Sequence, residues 1–160
     1  MRLGVDVGDA RIGVAASDAS GLVVLPVETV PAHPRGKALR RVVTLAKERS
    51  AIEVVVGLPK HLSGAEGASA TAARDFASRL ATTLDGIRVC LVDERLSTKA
   101  GQARLHQAGK NTRESRKHID QVAAQIILEQ AIESERHGAL LPGETVLAHP
   151  QSGGTSSEPR

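Results

Sequence analysis

The sequence predicts an α/β fold, a mixed five-stranded sheet flanked by helices. Three observations carry that expectation. Leu3, Val5 and Val7 alternate with Gly4, Asp6 and Gly8, and a second alternating run covers residues 12–17, so the chain opens with strands of period two. Residues 52–56 and 87–92 are short, continuous apolar runs, the pattern of strands buried on both faces. Each of these follows a stretch of helical periodicity, which sets the later strands parallel to the first by right-handed crossovers.

In chain order, the first alternating run turns at Gly8-Asp9-Ala10 into the second, a hairpin with an acid near its tip. One face of the first strand is apolar, and the other carries Asp6 between two glycines. Gly4 and Gly8 are expected to leave space beside that carboxylate for something other than protein. Residues 22–30 form a third strand, and Pro26 inside it favours the sheet edge. From residue 37 to 49, Leu39, Val42, Val43 and Ala46 recur at helical spacing, opposite a face with Arg40, Arg41, Lys47 and Arg49. The fourth strand, residues 52–56, runs into a Gly/Pro/Ser loop over 57–67. An alanine-rich helix follows, with Ala73, Phe76, Ala77, Leu80 and Leu84 as its stripe, and then the fifth strand. DERLST, residues 93–98, leads into a helix capped by Ser97 or Thr98 that runs to about Ala108, with Gly109 beyond it. Residues 110–118 are polar and basic without apolar period and read as a mobile loop. The last helix spans about 115–136, with Ile119, Val122, Ala123, Ile126 and Ile127 as its stripe. Residues 1–142 are thus expected to form one domain, and 143–160, rich in Pro, Gly, Ser and Thr, a disordered tail.

Composition narrows the class. The 160 residues are 41% hydrophobic and 24% charged, which suits a soluble globular domain. No apolar run reaches membrane-spanning length and no signal peptide is apparent, so a cytoplasmic protein is expected. Cys90, the single cysteine, lies in an apolar run and reads as a buried, inert thiol. The 21 Lys and Arg against 18 acids give a formal charge of +3, which permits a nucleic-acid partner. Aromatic content of 1% removes the stacking platforms on which single-strand binders hold bases. A nucleic acid would therefore be gripped by its phosphate backbone.

In open α/β sheets, sites form beyond the carboxyl ends of the parallel strands. Asp6, and Asp93 with Glu94, end two such strands. Asp120 falls at the margin of the last helix's apolar stripe among small alanines, where solvation is poor. Clustered carboxylates repel unless a cation intervenes. Oxygen ligands without a His or Cys cluster select Mg²⁺ or Mn²⁺ over zinc. In two-metal hydrolysis the ions stand roughly 3.5–4 Å apart, with Asp6 placed to bridge them and Glu94 and Asp120 holding one each. The competing reading makes Glu94 a surface partner of Arg95 or Lys99 and Asp120 a helix-start acid, although it lies too far into the helix for the macrodipole to favour.

GVDVGDARIGVAASD, VVGLPKHLSGAEG, DERLST and IDQVAAQIILEQAI resemble, in order and spacing, the four blocks of the YqgF/RuvX family, described both as pre-16S rRNA nucleases and as Holliday junction resolvases. The resemblance covers roughly residues 1–142. It implies a ribonuclease-H-like fold, catalytic and metal-binding roles for Asp6, Glu94 and Asp120, dependence on Mg²⁺ or Mn²⁺, and maturation of the 16S rRNA 5′ end. Ala10 departs from the pattern, since many members carry a polar or basic residue there. This bears on a backbone contact near the turn and leaves the acids untouched.

Arg11 at the hairpin turn, Lys60 and His61 in the loop after the fourth strand, and Lys110, Arg113, Arg116 and Lys117 in the basic stretch are the candidate phosphate contacts. The expected partner is RNA, pre-16S rRNA within or outside a ribosomal particle, or branched DNA. A junction resolvase should be a two-fold dimer, whereas an RNA nuclease can be monomer or homodimer. The opening block also resembles the phosphate-binding hairpin of sugar kinases and Hsp70-type ATPases. Those need two such domains, and this chain has one and no Walker loop. A non-catalytic binding module is disfavoured, because three retained acids would repel phosphate.

Overall fold

The alternation at the N-terminus builds a strand with two unlike faces. In the computed structural model, which describes residues 1–96, 99–108, 113–138 and 143–147, β1 (Arg2–Val7) buries Leu3 and Val5 in the main core. Gly4 and Asp6 face the other way. β2 (Arg11–Ser17) pairs antiparallel with β1, setting Asp6 opposite Gly13. β3 (Val24–Pro31) pairs antiparallel with β2, and the ladder shifts between Val14 and Ala15, where Ala15 meets Pro26. A proline cannot donate to a ladder, so it is confined to an edge or a bulge. Here it has both: β3 is the edge of a sheet ordered β3-β2-β1-β4-β5-β6.

α1 (Arg35–Glu48) and α2 (Ala68–Thr83) cover the face of Leu3 and Val5. All five residues of the predicted α2 stripe are buried, with Phe76 and Leu80 at its centre. β4 (Glu53–Leu58) runs parallel to β1, and β5 (Arg88–Asp93) parallel to β4. A 3₁₀ turn, Glu94–Leu96, follows β5. α3 (Lys99–Ala108) then leads to α4 (Arg113–Arg136), which covers the second face of the sheet. Its Ile127, Leu128, Ala131 and Ile132 pack on Val55, Cys90 and Val92. Gln125 and Gln121 side chains also donate to the Val24 carbonyl (3.1 Å) and the Thr29 hydroxyl (3.0 Å), tying α4 to β3. The result is a helix–sheet–helix sandwich.

Three features differ from the sequence-based expectation. The sheet has six strands, because β6 (Glu144–Val146) pairs antiparallel with β5. It lies in the segment expected to be a disordered tail. An edge strand needs only backbone partners on one side, so no apolar period advertises it. The rest of that tail, from residue 148, lies outside the described residues, as do Ser97, Thr98, Gly109 and Lys110. Second, α4 begins at Arg113, so Arg113, Arg116 and Lys117 belong to its first turns and not to a loop. Arg, Glu and Lys are good helix formers and need no apolar stripe to extend one.

The third difference concerns the glycines. A Cβ on Gly4 would stand 2.5 Å from the Ala124 carbonyl oxygen and 2.8 Å from the Leu128 Cβ, and one on Gly13 would overlap the Asp120 backbone. The bare face of β1 and β2 is therefore the seat of α4. Gly8 serves the hairpin turn, where its N–H donates to the Arg11 carbonyl at 2.9 Å. The space expected beside Asp6 above Gly4 is filled by the helix.

Candidate active site

Close seating of α4 decides where the acids meet. Asp6 sits one residue before the end of β1, and Glu94 follows directly on β5. Between these strands lies β4, whose Val56 pairs with Val5, so Gly57 comes next in line beside Asp6. A Cβ on Gly57 would stand 2.5 Å from Glu94 Oε1 and 2.5 Å from Ile127 Cδ1. The missing side chain of Gly57 thus leaves the place that the Glu94 carboxylate occupies, and from there it hydrogen-bonds to Asp6.

Burial and mutual repulsion favour the protonated form of both acids. Burial, the charges of Glu94 and Asp120, and the hydrogen bond to Glu94 hold the Asp6 carboxyl far above the ordinary carboxylate range. Burial also raises Glu94, helped by the charge of Asp93 and opposed by its hydrogen bond with Asp6. Asp93 turns outward to Arg95, whose guanidinium approaches to 2.7 Å, and this pair lowers the Asp93 carboxyl. Of the two surface partners weighed for Glu94 from the sequence, Arg95 is engaged by Asp93, and the side chain of Lys99 lies outside the described residues.

Asp120 lies on α4 above Gly13, close enough for its charge to act on Asp6. Its Oδ2 accepts a hydrogen bond from Arg11 Nε at 2.7 Å. Arg11 is the first residue of β2, and the period of two puts it on the same face as Gly13. Among the described residues no three His, Cys, Asp or Glu side chains form a ready metal-holding group. Two acids lie side by side, and the third is joined to a guanidinium.

A cavity of about 140 Å³ opens beside the pair, lined by Asp6, Glu94, Leu105 of α3, and Ala123, Ile126, Ile127 and Gln130 of α4. Gln130 Nε2 is buried there without a hydrogen-bond partner. The sequence reading missed Gln130. The signal for it was present, since it extends the helical face that runs from Asp120 through Ala123 and Ile127. A larger hollow of about 240 Å³ lies at the opposite end of the sheet, around Arg2, Ser17 and Glu135, away from these acids.

Of the candidate phosphate contacts, Lys60 stands near enough to Asp93 and Glu66 to lower both carboxyls, which puts it on the rim of the same sheet edge. His61 is exposed and its ring lies over Gly67, at the start of α2. Arg11 is at the acids themselves. The side chains of Arg113, Arg116 and Lys117, and all of Lys110, lie outside the described residues. Cys90 is fully buried and its thiol is pushed up to about 12 by that burial, so it has no part in the chemistry.

The donor set suits a hard divalent cation in one respect and is partly engaged in another. Asp6 and Glu94 offer oxygen ligands in a desolvated place where their charges repel, and such a pair gains most from an ion. Of the Asp120 carboxylate, Oδ2 is engaged by Arg11.

A family model described as RuvX, Holliday junction resolvase, matches residues 1–134. A protein of Streptomyces avermitilis named "Putative pre-16S rRNA nuclease" is 48% identical over 145 residues, covering 91% of this chain and 93% of its own. One of the same name from Clavibacter michiganensis subsp. michiganensis is 51% identical over 146 residues, covering 91% and 90%. Among solved structures, Thermus thermophilus RuvC in complex with a Holliday junction substrate superposes with a TM-score of 0.57 at 18% identity, covering 91% of this chain and 98% of that one. That likeness establishes a shared ribonuclease-H-like fold.

Proposed function

The chain belongs to the RuvX family, and from that premise we propose that it is a metal-dependent endonuclease that hydrolyses a phosphodiester bond of pre-16S rRNA in the course of 5′-end maturation. The observation that carries this reading is the buried Asp6–Glu94 pair, two carboxylates brought together at the end of the sheet. The name shared by relatives about half identical over most of the chain supports the RNA substrate.

In this reading Asp6, Glu94 and Asp120 would hold Mg²⁺ or Mn²⁺. When bound, such ions supply Lewis-acid activation of water and neutralise charge on the phosphate under attack. The chain's own contribution is geometric and electrostatic. Gly57 seats Glu94 against Asp6, Gly13 lets α4 bring Asp120 down to the same edge, and Leu105, Ile126 and Ile127 keep one side of the site dry. A dry wall strengthens every charge interaction within. Arg11, Lys60 and His61, with Lys110, Arg113, Arg116 and Lys117, grip the backbone. The nuclease domain is residues 1–142, to which β6 adds an edge strand, and the protein acts in the cytoplasm on rRNA, free or in a ribosomal particle. None of the helices among the described residues is long and apolar enough to cross a membrane.

A second substrate is favoured by the family model's own description, a resolvase of four-way DNA. That activity requires a two-fold dimer with paired sites. Side-by-side assays of pre-16S rRNA and a synthetic four-way junction, each with Mg²⁺, Mn²⁺ or chelator, decide between them. Cleavage of the RNA alone, abolished by chelator, is the expected result. Cleavage of the junction alone transfers the assignment to DNA, and cleavage that survives chelation removes the metal reading.

A further inference from the structure

The guanidinium of Arg11 stands where a cation belongs, on the outermost of the three acids. Its Nε lies 2.7 Å from Asp120 Oδ2, across 109 positions of sequence. The pair is not sealed into the fold: the Arg11 side chain is 37% exposed and that of Asp120 18% exposed. An ion pair at such a depth is worth little and opens readily. Neither partner depends on the other for its backbone placement. Pairing with Pro31 of β3 and the hydrogen bond from Gly8 fix the Arg11 backbone, and Gly13 fixes α4 at Asp120. The bond can therefore break without moving either element. A planar fork freed at the mouth of a nuclease site is the group best suited to a phosphate.

We propose that Arg11 is a switch coupling metal binding to nucleic-acid binding: it holds Asp120 when the site is unloaded, and it moves to the substrate phosphate when Asp120 turns to the metal. The proposal rests on the reading of Asp120 as a metal ligand. Arg11 then does more than add a positive charge to the surface. As a competitor it weakens metal binding in the absence of substrate, and a phosphate that draws it away restores full affinity. Reciprocity follows from linkage, so metal also tightens the hold on the backbone. The arrangement delays assembly of the three-acid site until a phosphate is present.

The test measures Mn²⁺ affinity by titration calorimetry on the full chain, with and without a phosphorothioate RNA oligonucleotide that resists cleavage. Arg11→Gln is expected to bind Mn²⁺ roughly fivefold more tightly than the parent when no RNA is present, the size of one part-exposed ion pair. The oligonucleotide is expected to tighten Mn²⁺ binding to the parent and to leave Arg11→Gln unchanged. Arg11→Lys keeps the charge and loses the fork; it should keep the parent's metal affinity with a smaller gain from RNA, and it carries the test if the Gln variant does not fold by circular dichroism. Equal or weaker Mn²⁺ binding by Arg11→Gln, or an undiminished gain from RNA, overturns the switch. Asp120→Asn separates the two readings. If it binds Mn²⁺ as the parent does, Asp120 is no ligand and the metal site itself fails. If it binds more weakly while Arg11→Gln shows no tightening, the switch alone fails.

Discussion

Glu53 and Asp6 are carboxylates on adjacent strands of one sheet, and the fold treats them in opposite ways. Glu53 opens β4, with Arg2 of β1 and Arg88 of β5 as its neighbours across the ladder. Arg88 Nη1 lies 2.9 Å from Glu53 Oε2, and Arg2 Nε lies 3.8 Å from Oε1. Arg2 passes the network on to Glu135 at 2.6 Å. At the far end of the same strands, the charges that reach Asp6 are those of Glu94 and Asp120. One buried acid is matched by cations, the other by further acids. An uncompensated buried carboxylate opposes folding, so a chain that places arginines at one end and acids at the other has a use for the charge at the second. Perturbed groups of this kind mark functional sites.

The sharpest way to break the contrast is to neutralise each acid in turn. Asp6→Asn should abolish Mg²⁺-dependent cleavage, a loss beyond the roughly 100-fold that an outer contact to a metal commands, with the fold intact by circular dichroism. Full activity of the purified variant would take Asp6 out of the chemistry. Glu53→Ala should do the reverse. Removing the acid takes the shared carboxylate from between two guanidinium groups, of which Arg2 keeps Glu135, at a cost of about 3 kcal/mol in denaturant unfolding, while cleavage per folded molecule is retained. Activity lost in proportion to neither stability nor folded fraction would merge the two regions into one functional unit.

Gly57→Ala sharpens the comparison at one end. The new Cβ meets the side-chain ends of Glu94 and of buried Ile127, so stability should fall by about 1–3 kcal/mol while the Asp6–Glu94 contact is spoiled. Cleavage should fall by up to about a hundredfold, the toll of a misplacement near 1 Å. An unaffected rate would show that the seat of Glu94 is not needed.

The two ends should also differ in pH response. Asp6 keeps its proton in the folded state far above 3.8, up to about 8, whereas the unfolded chain releases it near the ordinary value. Between those limits the folded state binds more protons, so stability of the metal-free protein falls as pH rises through the window and levels off above it. Raised Glu94 acts with the same sign. Thermal melts in chelator should show that decline, and Asp6→Asn should flatten it. A parent protein whose melting point rises across this range would refute the raised carboxyls. The smallest effect belongs to the rim. Lys60→Gln should weaken RNA binding modestly and reduce the salt slope by about one ion; an unchanged slope means Lys60 touches no phosphate.

Much of this was legible from residues near one another in sequence. A period of two exposed β1 and β2, apolar runs exposed β4 and β5, and helical spacing exposed α1, α2 and α4, because each pattern follows from backbone geometry acting over a few residues. The same local logic placed Asp6 and Glu94 at strand ends, and Pro26 on the edge strand. What Gly4 and Gly13 are for could not be read that way. A glycine in a strand means only that something approaches closely, and whether it is ligand or helix depends on an element more than a hundred residues later. The Arg11–Asp120 pair, the unpartnered Gln130 Nε2 and the strand at Glu144–Val146 likewise depend on segments distant in the chain. Sequence alone determined which residues form strands and helices and which acids stand at their ends. Only the tertiary structure decided which acids lie side by side and which is held by an arginine, because a carboxylate's partner is chosen by the packing of distant segments and leaves no periodic trace in the chain.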